Sequence, residues 1–442
     1  MLRVCQLLLS TSLCITGDRR DSEIQSYITT TGNMRKHVDI ISTLPDDLLC
    51  CIISLLPSKD AIGTSILSKR WKNLMDFVPV LNLTCRIPTP GFINTLDKLF
   101  SSTSSSSNLQ KLRLQISGCH WYIVLNHVNS WIRSAINRNV AELDVCLPDD
   151  VFNTVENDEE FALRVVPSDS LQTLKVRGGL GLRMPYTIGS FKNLKTFWLW
   201  IYDPDKELLA KLFCSLPQLE TLFIDAYFSK IVKGDTNMCI NIIAPALKWL
   251  NLSIDQEDYY DVDLKVLIDT PMLEDIILED GYLAAYLVMS GPSLVTATLD
   301  VGMDYYHLIN THRDNRYVRA VELLRGLSNV KSLEINYSAS AALDRAFQDR
   351  LPILNNLTCL NLDDLPLTGL SLIPRFLESA PNLKEIAVTI QPQVKSIMGW
   401  SWKSPTALPT SLLHLEEIEI QGAKIIESDP SFSVMVNYIG RS

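Results

Sequence analysis

No CxxC pair occurs anywhere in this chain of 442 residues, although it carries ten cysteines. They are scattered, and the only adjacent two, Cys50 and Cys51, lie inside a helical pattern. That scatter suggests reduced thiols in a nuclear or cytoplasmic compartment and not a disulfide framework. Cys119, His120 and His127 come close together, but no second cluster supplies a fourth ligand at a usual spacing, so no metal is expected. Missing too are a GxSxG, an HExxH and a Walker pattern, and the six histidines are dispersed. An enzyme reading therefore has little to stand on, and neither catalytic residues nor a cofactor is expected. "GGLG" at 178–181 opens no helix and runs into Arg183-Met184-Pro185, which reads as a turn after a strand. There is no run of eighteen apolar residues, so no membrane-spanning helix is predicted. Basic charge is short as well: 40 Lys and Arg against 50 Asp and Glu give a net charge of −10. That argues against a nucleic-acid or anionic-membrane binder and favours a protein partner.

What is present is a folded chain, 47% apolar and 20% charged, too long for one compact core unless it is built from repeats. Residues 1–38 read as a disordered extension, although "MLRVCQLLLSTSLC" has a weak secretory pattern and Met34 offers an alternative start. The sequons at Asn251, Asn336 and Asn356 fall in segments that read as strands, where a glycan is hard to accommodate. "SSTSSSS" at 101–107 reads as a loop.

After it the chain repeats. A unit x-L-x-x-L-x-[LIV] recurs twelve times, from "NLQKLRLQI" (108–116) through "NLKTFWLWI" (193–201) and "QLETLFIDA" (218–226) to "HLEEIEIQG" (414–422). The starts are 21 to 36 residues apart, overlapping and exceeding the leucine-rich-repeat period, so the connecting arcs vary in length. One unit cannot cover its own apolar residues. Stacked as neighbours in a parallel sheet, the units bury them in a continuous core, with the strands lining a horseshoe or arc. Alternation then turns the residues between and after the fourth and sixth positions to the solvent side. That side reads Arg113, Lys175 and Arg177 early, Trp198, Trp200 and Phe223 next, and acidic or neutral residues beyond. The two Trp and Phe223 suit a target-binding hot spot, and the three cations suit steering of an acidic portion of a target. A strand shifted by one residue would instead bury both Trp.

Ahead of the repeats stands "LPDDLLCCIISLLPSKDAIGTSILSKRW" (44–71). Pro45, Asp46 and Asp47 suit the start of a helix. From there Leu48, Ile52 and Leu55 form one apolar line and Leu49, Ile53 and Leu56 a second, until Pro57 ends the helix. Ser58 can cap a second helix, and Ser68 a third carrying Trp71 and Leu74. About forty residues is near the limit below which a domain needs outside help, so the spare apolar line points to a partner. The competing reading is an ordinary core against the first repeat, which accounts for one line but not both.

Leu44, Pro45, Leu48, the Leu55-Leu56-Pro57 turn and "LSKRW" (67–71) together resemble the F-box, which attaches substrate adaptors to the Skp-type subunit of cullin-based ubiquitin ligases. "VNSWIRSAINRNVAELDVCL" (128–147), "DTPMLEDIIL" and "FLESAPNLKEI" are similar to repeats of the plant F-box and leucine-rich-repeat group. "WKSPTALPTSLLHLEEIEIQG" (402–422) resembles the opening of the FBD region that closes many members, but the remainder departs from it. Gly63 also departs, standing where a better helix former is usual.

The resemblance implies an α/β chain with an N-terminal three-helix F-box at 39–83, a linker and first arc at 84–107, and a leucine-rich-repeat solenoid at 108–400. The last repeat with a truncated FBD-like end then occupies 401–442. It implies docking on a Skp-type subunit, and through it a cullin, by Leu44, Pro45, Leu48, Ile52, Leu55, Leu56, Pro57, Leu67, Ser68 and Trp71. The arc would hold a protein target for ubiquitination, in the nucleus or cytoplasm. Two alternatives stand beside this: a secreted or surface leucine-rich-repeat protein binding extracellular ligands, and a ligase-independent F-box scaffold.

Overall fold

A computed structural model describes residues 43–56, 58–64, 68–74, 77–101, 109–118, 124–147, 163–164, 168–178, 182–183, 191–202, 206–228, 239–256, 264–281, 283–302, 316–336, 339–340, 343, 351–365, 372–390 and 414–421. The chain divides into two compact units, Met1–Leu49 and Cys50–Ser442. In the first, the opening turn of helix α1 (Asp46–Leu55) begins with Asp46 and Asp47, whose carboxylates suit the positive end of the helix dipole. The Leu49 N–H donates to the Pro45 carbonyl at 3.1 Å, so Pro45 stands just before the helix rather than at its first position. Residues 1–38, the expected extension, lie outside the described residues, as do Pro57 and Leu67.

The second unit continues with α2 (Ser58–Thr64) and α3 (Lys69–Leu74). Ser68 accepts from the Trp71 N–H at 3.3 Å, the capping role its position suggests, and the Cys50 thiol points at the Leu74 carbonyl, 3.6 Å away. There follows a thirteen-stranded parallel sheet. Its members in spatial order are β1 (Val80–Cys85), β2 (Lys111–Ile116), β3 (Glu142–Cys146), β4 (Thr173–Arg177), β5 (Thr196–Tyr202) and β6 (Thr221–Phe228). A second run, with β7 (Cys239–Ile243) set apart from it, comprises β8 (Trp249–Gln256), β10 (Asp275–Asp280), β12 (Thr296–Val301), β13 (Ser332–Ile335), β14 (Cys359–Leu365), β15 (Glu385–Ile390) and β16 (Glu417–Gln421). All twelve repeat units become strands of this sheet, and the pairs match unit to unit in register except for a shift between Leu362 and Leu365 where β14 meets β15. The sheet opens one strand earlier than the repeat pattern predicts: β1 comes from residues assigned to the end of the F-box, and it pairs with β2 from Val80↔Lys111 to Cys85↔Ile116.

Connections between the strands carry a second layer. β7, β9 (Lys265–Thr270) and β11 (Ala285–Ser290) form a small parallel sheet of their own. Helix α6 (Lys206–Cys214) packs beside β7, and α7 (Arg316–Gly326) beside β11, so both edges of that small sheet are flanked. Helices α4 (Pro90–Ser101) and α5 (Leu125–Asn137) pack together through a Phe100–Trp131 stack, and the Trp131 indole donates to Asp97 at 2.8 Å. Helix α8 (Leu372–Ser379) is almost wholly apolar on its inner side.

The physical logic of the repeat is visible in its hydrogen bonds. The first apolar residue of the unit is fully buried at Leu109, Val140, Leu171, Leu194, Leu219 and Val330, and half-buried only at Leu415 of the last unit. The residues after it hand their N–H groups to the previous unit: Lys195 to Gln172 O, Glu220 to Lys195 O, Lys248 to Glu220 O and Glu274 to Lys248 O, all at 2.8–2.9 Å. Short polar side chains at the unit start satisfy the turn carbonyls, Asn193 to Asp169 O at 2.7 Å and Asn382 to Asn355 O at 2.8 Å. Inward positions such as Leu112, Leu143, Leu174, Phe197 and Leu222 are at most 1% exposed, and each contributes roughly 1.5–3 kcal/mol by leaving water.

Gly178, the first glycine of "GGLG", ends β4 with φ +127°, and a Cβ there would sit 2.5 Å from the Leu147 carbonyl oxygen. Gly63, by contrast, has nothing within 4 Å of a Cβ and sits in α2. Gly178→Ala should therefore destabilise the chain by about 1–3 kcal/mol, whereas Gly63→Ala should stabilise it by about 0.5–1 kcal/mol. Thermal denaturation of the two variants checks the opposite signs.

Candidate functional site

Two surfaces stand out, one on α1 and one on the large sheet. The lines of α1 differ sharply in exposure: Leu49, Ile53 and Leu56 are at most 7% exposed, while Leu48 is 52% and Leu55 80% exposed and Ile52, one turn from each, is half-buried. Leu44 is half-buried, and Pro45 and Ser68 are exposed. Leu56 and Trp71, counted with the docking residues from the sequence, are both only 7% exposed and so belong to the interior.

On the sheet, inward and outward residues alternate from β1 to β15, apart from the irregularity at Asp363 and Asp364 in β14, so the strand reading that turns Trp198, Trp200 and Phe223 outward agrees with the structure. Their neighbours Phe197, Leu199 and Ile201 are at most 3% exposed. One row across the open face runs Asn82, Arg113, Asp144, Lys175, Trp198, Phe223, Asn251, Ile277, each the register partner of the next. Trp198 stacks on Phe223 with ring centroids 5.0 Å apart and planes 22° apart, and the Lys175 ammonium lies 4.1 Å from the Trp198 ring centre. Each such contact is worth about 0.5–1.5 kcal/mol, so the three side chains form a preset platform. The Trp200 indole nitrogen is buried without a hydrogen-bond partner among the described residues.

The cations meet a partner that sequence reading did not assign. Asp144 receives Arg113 Nε at 3.4 Å and Arg177 Nη2 at 3.2 Å, so one carboxylate lies between two of the three expected steering charges. Lys111 likewise pairs with Glu142 at 2.7 Å. The signal was the register itself, since Arg113, Asp144 and Lys175 share one row. Elsewhere, no three potential metal ligands cluster among the described residues. Asn251 lies in β8 and is buried, and Asn336 follows β13 directly and donates to Asp300, whereas Asn356 is exposed in the turn before β14 and not in a strand.

Comparison with known proteins fits this arrangement. Residues 41–82 match the F-box domain model. F-box/LRR-repeat protein 13 of Arabidopsis thaliana is 30% identical over 377 residues, covering 83% of this chain and 80% of that protein. An F-box/FBD/LRR-repeat protein of the same plant is 30% identical over 372 residues, with 80% and 77% covered. The chain belongs to the F-box/LRR-repeat family. A further F-box/LRR-repeat protein of Arabidopsis thaliana is 29% identical over 367 residues, with 79% of this chain and 91% of that protein covered. In this F-box/LRR-repeat protein the exposed line of α1 falls within the F-box match, and the aromatic platform falls in the repeats. An F-box is in general a module for Skp-type subunits, which gives the kind of partner that residues 41–82 suit. The FBD-like tail seen in the sequence lies mostly outside the described residues.

Proposed function

We propose that this F-box/LRR-repeat protein is the substrate-recognition adaptor of a Skp-cullin-F-box ubiquitin ligase. The exposed line of α1 docks the Skp-type subunit, and the open face of the sheet receives the protein target. The observation that carries the first half is the exposure of Leu48 and Leu55 on a helix whose other line is closed off. An 80% exposed Leu on a helix contributes little to folding and is well suited to a partner's groove. The second half rests on the Lys175–Trp198–Phe223 platform, preset and half-exposed, in the composition of binding hot spots. On this reading no bond is made or broken by the chain itself. Its contribution is proximity, bringing a target near a ubiquitin-loaded enzyme supplied by other subunits. Seven free cysteines among the described residues support a nuclear or cytoplasmic location over an extracellular one.

Affinity purification of the full chain from plant cells, followed by reconstituted ubiquitination of the co-eluting target, tests the reading. Recovery of a Skp-type subunit and a cullin, with ubiquitin transfer that requires the chain, is the expected result. A ligase-independent scaffold would recover the Skp-type subunit and support no transfer. Truncation is a poor substitute for the full chain: a fragment from residue 105 would lose β1 and leave the β2 edge unpaired.

A further inference from the structure

The eight strands from β6 to β16 of the large sheet contain no Lys or Arg at all, yet their open face carries Asp275, Glu279, Asp300, Glu334, Asp363 and Glu385. Among the described residues, none of these six carboxylates is in an ion pair. Asp275 accepts from the Thr296 hydroxyl and Asp300 from the Asn336 amide, both neutral groups, while Glu385 lies against the Cys359 thiol and also feels the charge of its neighbour Lys384. Glu279 and Asp300 are direct register partners on adjacent strands. Like charges set opposite each other in a sheet oppose folding, so this pattern does not serve the stability of the sheet.

A second observation points to the same kind of ligand. Asn251 leaves β8 on the open side, since Leu250 and Leu252 are fully buried on the other, and its register partners are Phe223 and Ile277. It is only 8% exposed, and its Oδ1 has no hydrogen-bond partner among the described residues. A lone acceptor held out of water costs roughly 1–3 kcal/mol until a donor reaches it. It sits between the aromatic platform and the carboxylates. The opposite end of the face is different: there Lys111, Arg113 and Arg177 are already matched by Glu142 and Asp144.

We propose that the open face from β8 to β15 receives a Lys- and Arg-rich stretch of the protein target, with an apolar or aromatic anchor of that target on Trp198 and Phe223. This rests on the reading of the sheet as the target receptor and names the chemistry of what it takes. A cationic stretch supplies donors to Asn251 and counter-charges to Glu279, Asp300 and Glu334, and its positive end favours aromatic faces. Five strand spacings separate β8 from β15, about 24 Å, which roughly seven residues of extended chain would cross. The expectation of an acidic target portion is thereby replaced, because Asp144 engages two of the cations that would have attracted it.

The test uses the full chain and two fluorescein-labelled synthetic peptides, one alternating Lys and Arg with Ser and ending in Phe, the other with Glu at every basic position. Fluorescence anisotropy should show the basic peptide binding at least about tenfold tighter, more weakly as salt is raised. Glu279→Lys with Glu334→Lys should cost at least about tenfold, against little change for the control pair Glu322→Lys with Glu378→Lys, which alters net charge equally on the exposed sides of α7 and α8. Asn251→Leu should weaken the basic peptide severalfold without lowering the melting temperature, since it removes an unmatched buried acceptor. Equal losses in the test and control pairs would reduce the effect to a diffuse field and overturn the proposal. So would preference for the Glu peptide, or binding of neither. Those outcomes leave the receptor reading standing if Trp198→Ala still abolishes capture of the cellular target, and that reading fails only if Trp198→Ala has no effect on capture.

Discussion

Replacing Leu48 and Leu55 by Asp should eliminate co-purification of a Skp-type subunit while leaving the melting temperature of the chain almost unchanged. Both side chains stand mostly in water before docking, 52% and 80% exposed, so a carboxylate in either place meets solvent in the free protein. In the complex each Leu would be covered, a gain of roughly 1.5–3 kcal/mol apiece, and each Asp would have to be desolvated instead. Losing both contacts alone weakens docking by about a hundredfold to ten-thousandfold, beyond recovery in a pull-down. Trp71→Ala provides the contrast. Its indole is 7% exposed, so truncation should lower stability by about 3–5 kcal/mol and reduce docking only as far as the helices come apart. The pair of measurements is co-purification and thermal unfolding on the same preparations. Retained docking in the double Asp variant would show that the exposed line of α1 is not the contact. A large fall in melting temperature would show that the line is covered within the chain.

Much of this was legible in the sequence because the repeat ties side-chain direction to spacing. Once x-L-x-x-L-x-[LIV] is recognised, parity follows, and it places Phe197, Leu199 and Ile201 inward and both Trp outward, as the burial of the strand shows. β1 escaped although Val78, Leu81 and Leu83 follow the same spacing and are at most 4% exposed. Pro79 and the adjoining F-box residues masked it, since a proline tolerated at the entry to a strand looks like a break. The small sheet of β7, β9 and β11 escaped for a different reason. Leu287 and Met289 are more than half exposed on it while Tyr286 and Val288 are buried, so β11 shows no alternation of apolar with polar residues. The role of Asp144 needed three strands in register before its two guanidinium partners met, and no single segment contains that information. Leu56 and Trp71 show the converse: a motif names the residues that matter together, and only burial separates those that touch a partner from those that hold the helices.

The same parity makes the second large effect a paired one: Phe197→Ala and Trp198→Ala, adjacent in β5, should fail in opposite assays. Phe197 is fully buried, so its loss opens a cavity between neighbouring units and should cost about 3–5 kcal/mol of stability. Because each unit rests on the next, that loss is felt along the stack and not in one strand alone. Target affinity of the fraction that remains folded should change little. Trp198 is half-exposed, stacked on Phe223 and overlaid by Lys175, contacts that together contribute only about 1–2 kcal/mol to the free chain. In the complex the ring would be covered on its open side, and truncating a hot-spot Trp costs about 2 kcal/mol or more, at least roughly thirtyfold in affinity. Trp200→Ala should weaken capture like Trp198→Ala, and it also removes a buried indole nitrogen that has no hydrogen-bond partner among the described residues. Measuring melting temperature and target capture for all three variants separates the outcomes. If Trp198→Ala and Trp200→Ala lower the melting temperature as far as Phe197→Ala and leave capture intact, the platform is part of the core and the target binds elsewhere. If capture falls while the fold holds, the half-exposed rings are the contact, and the order of the losses across Trp198, Trp200 and Phe223 locates the anchor on the face.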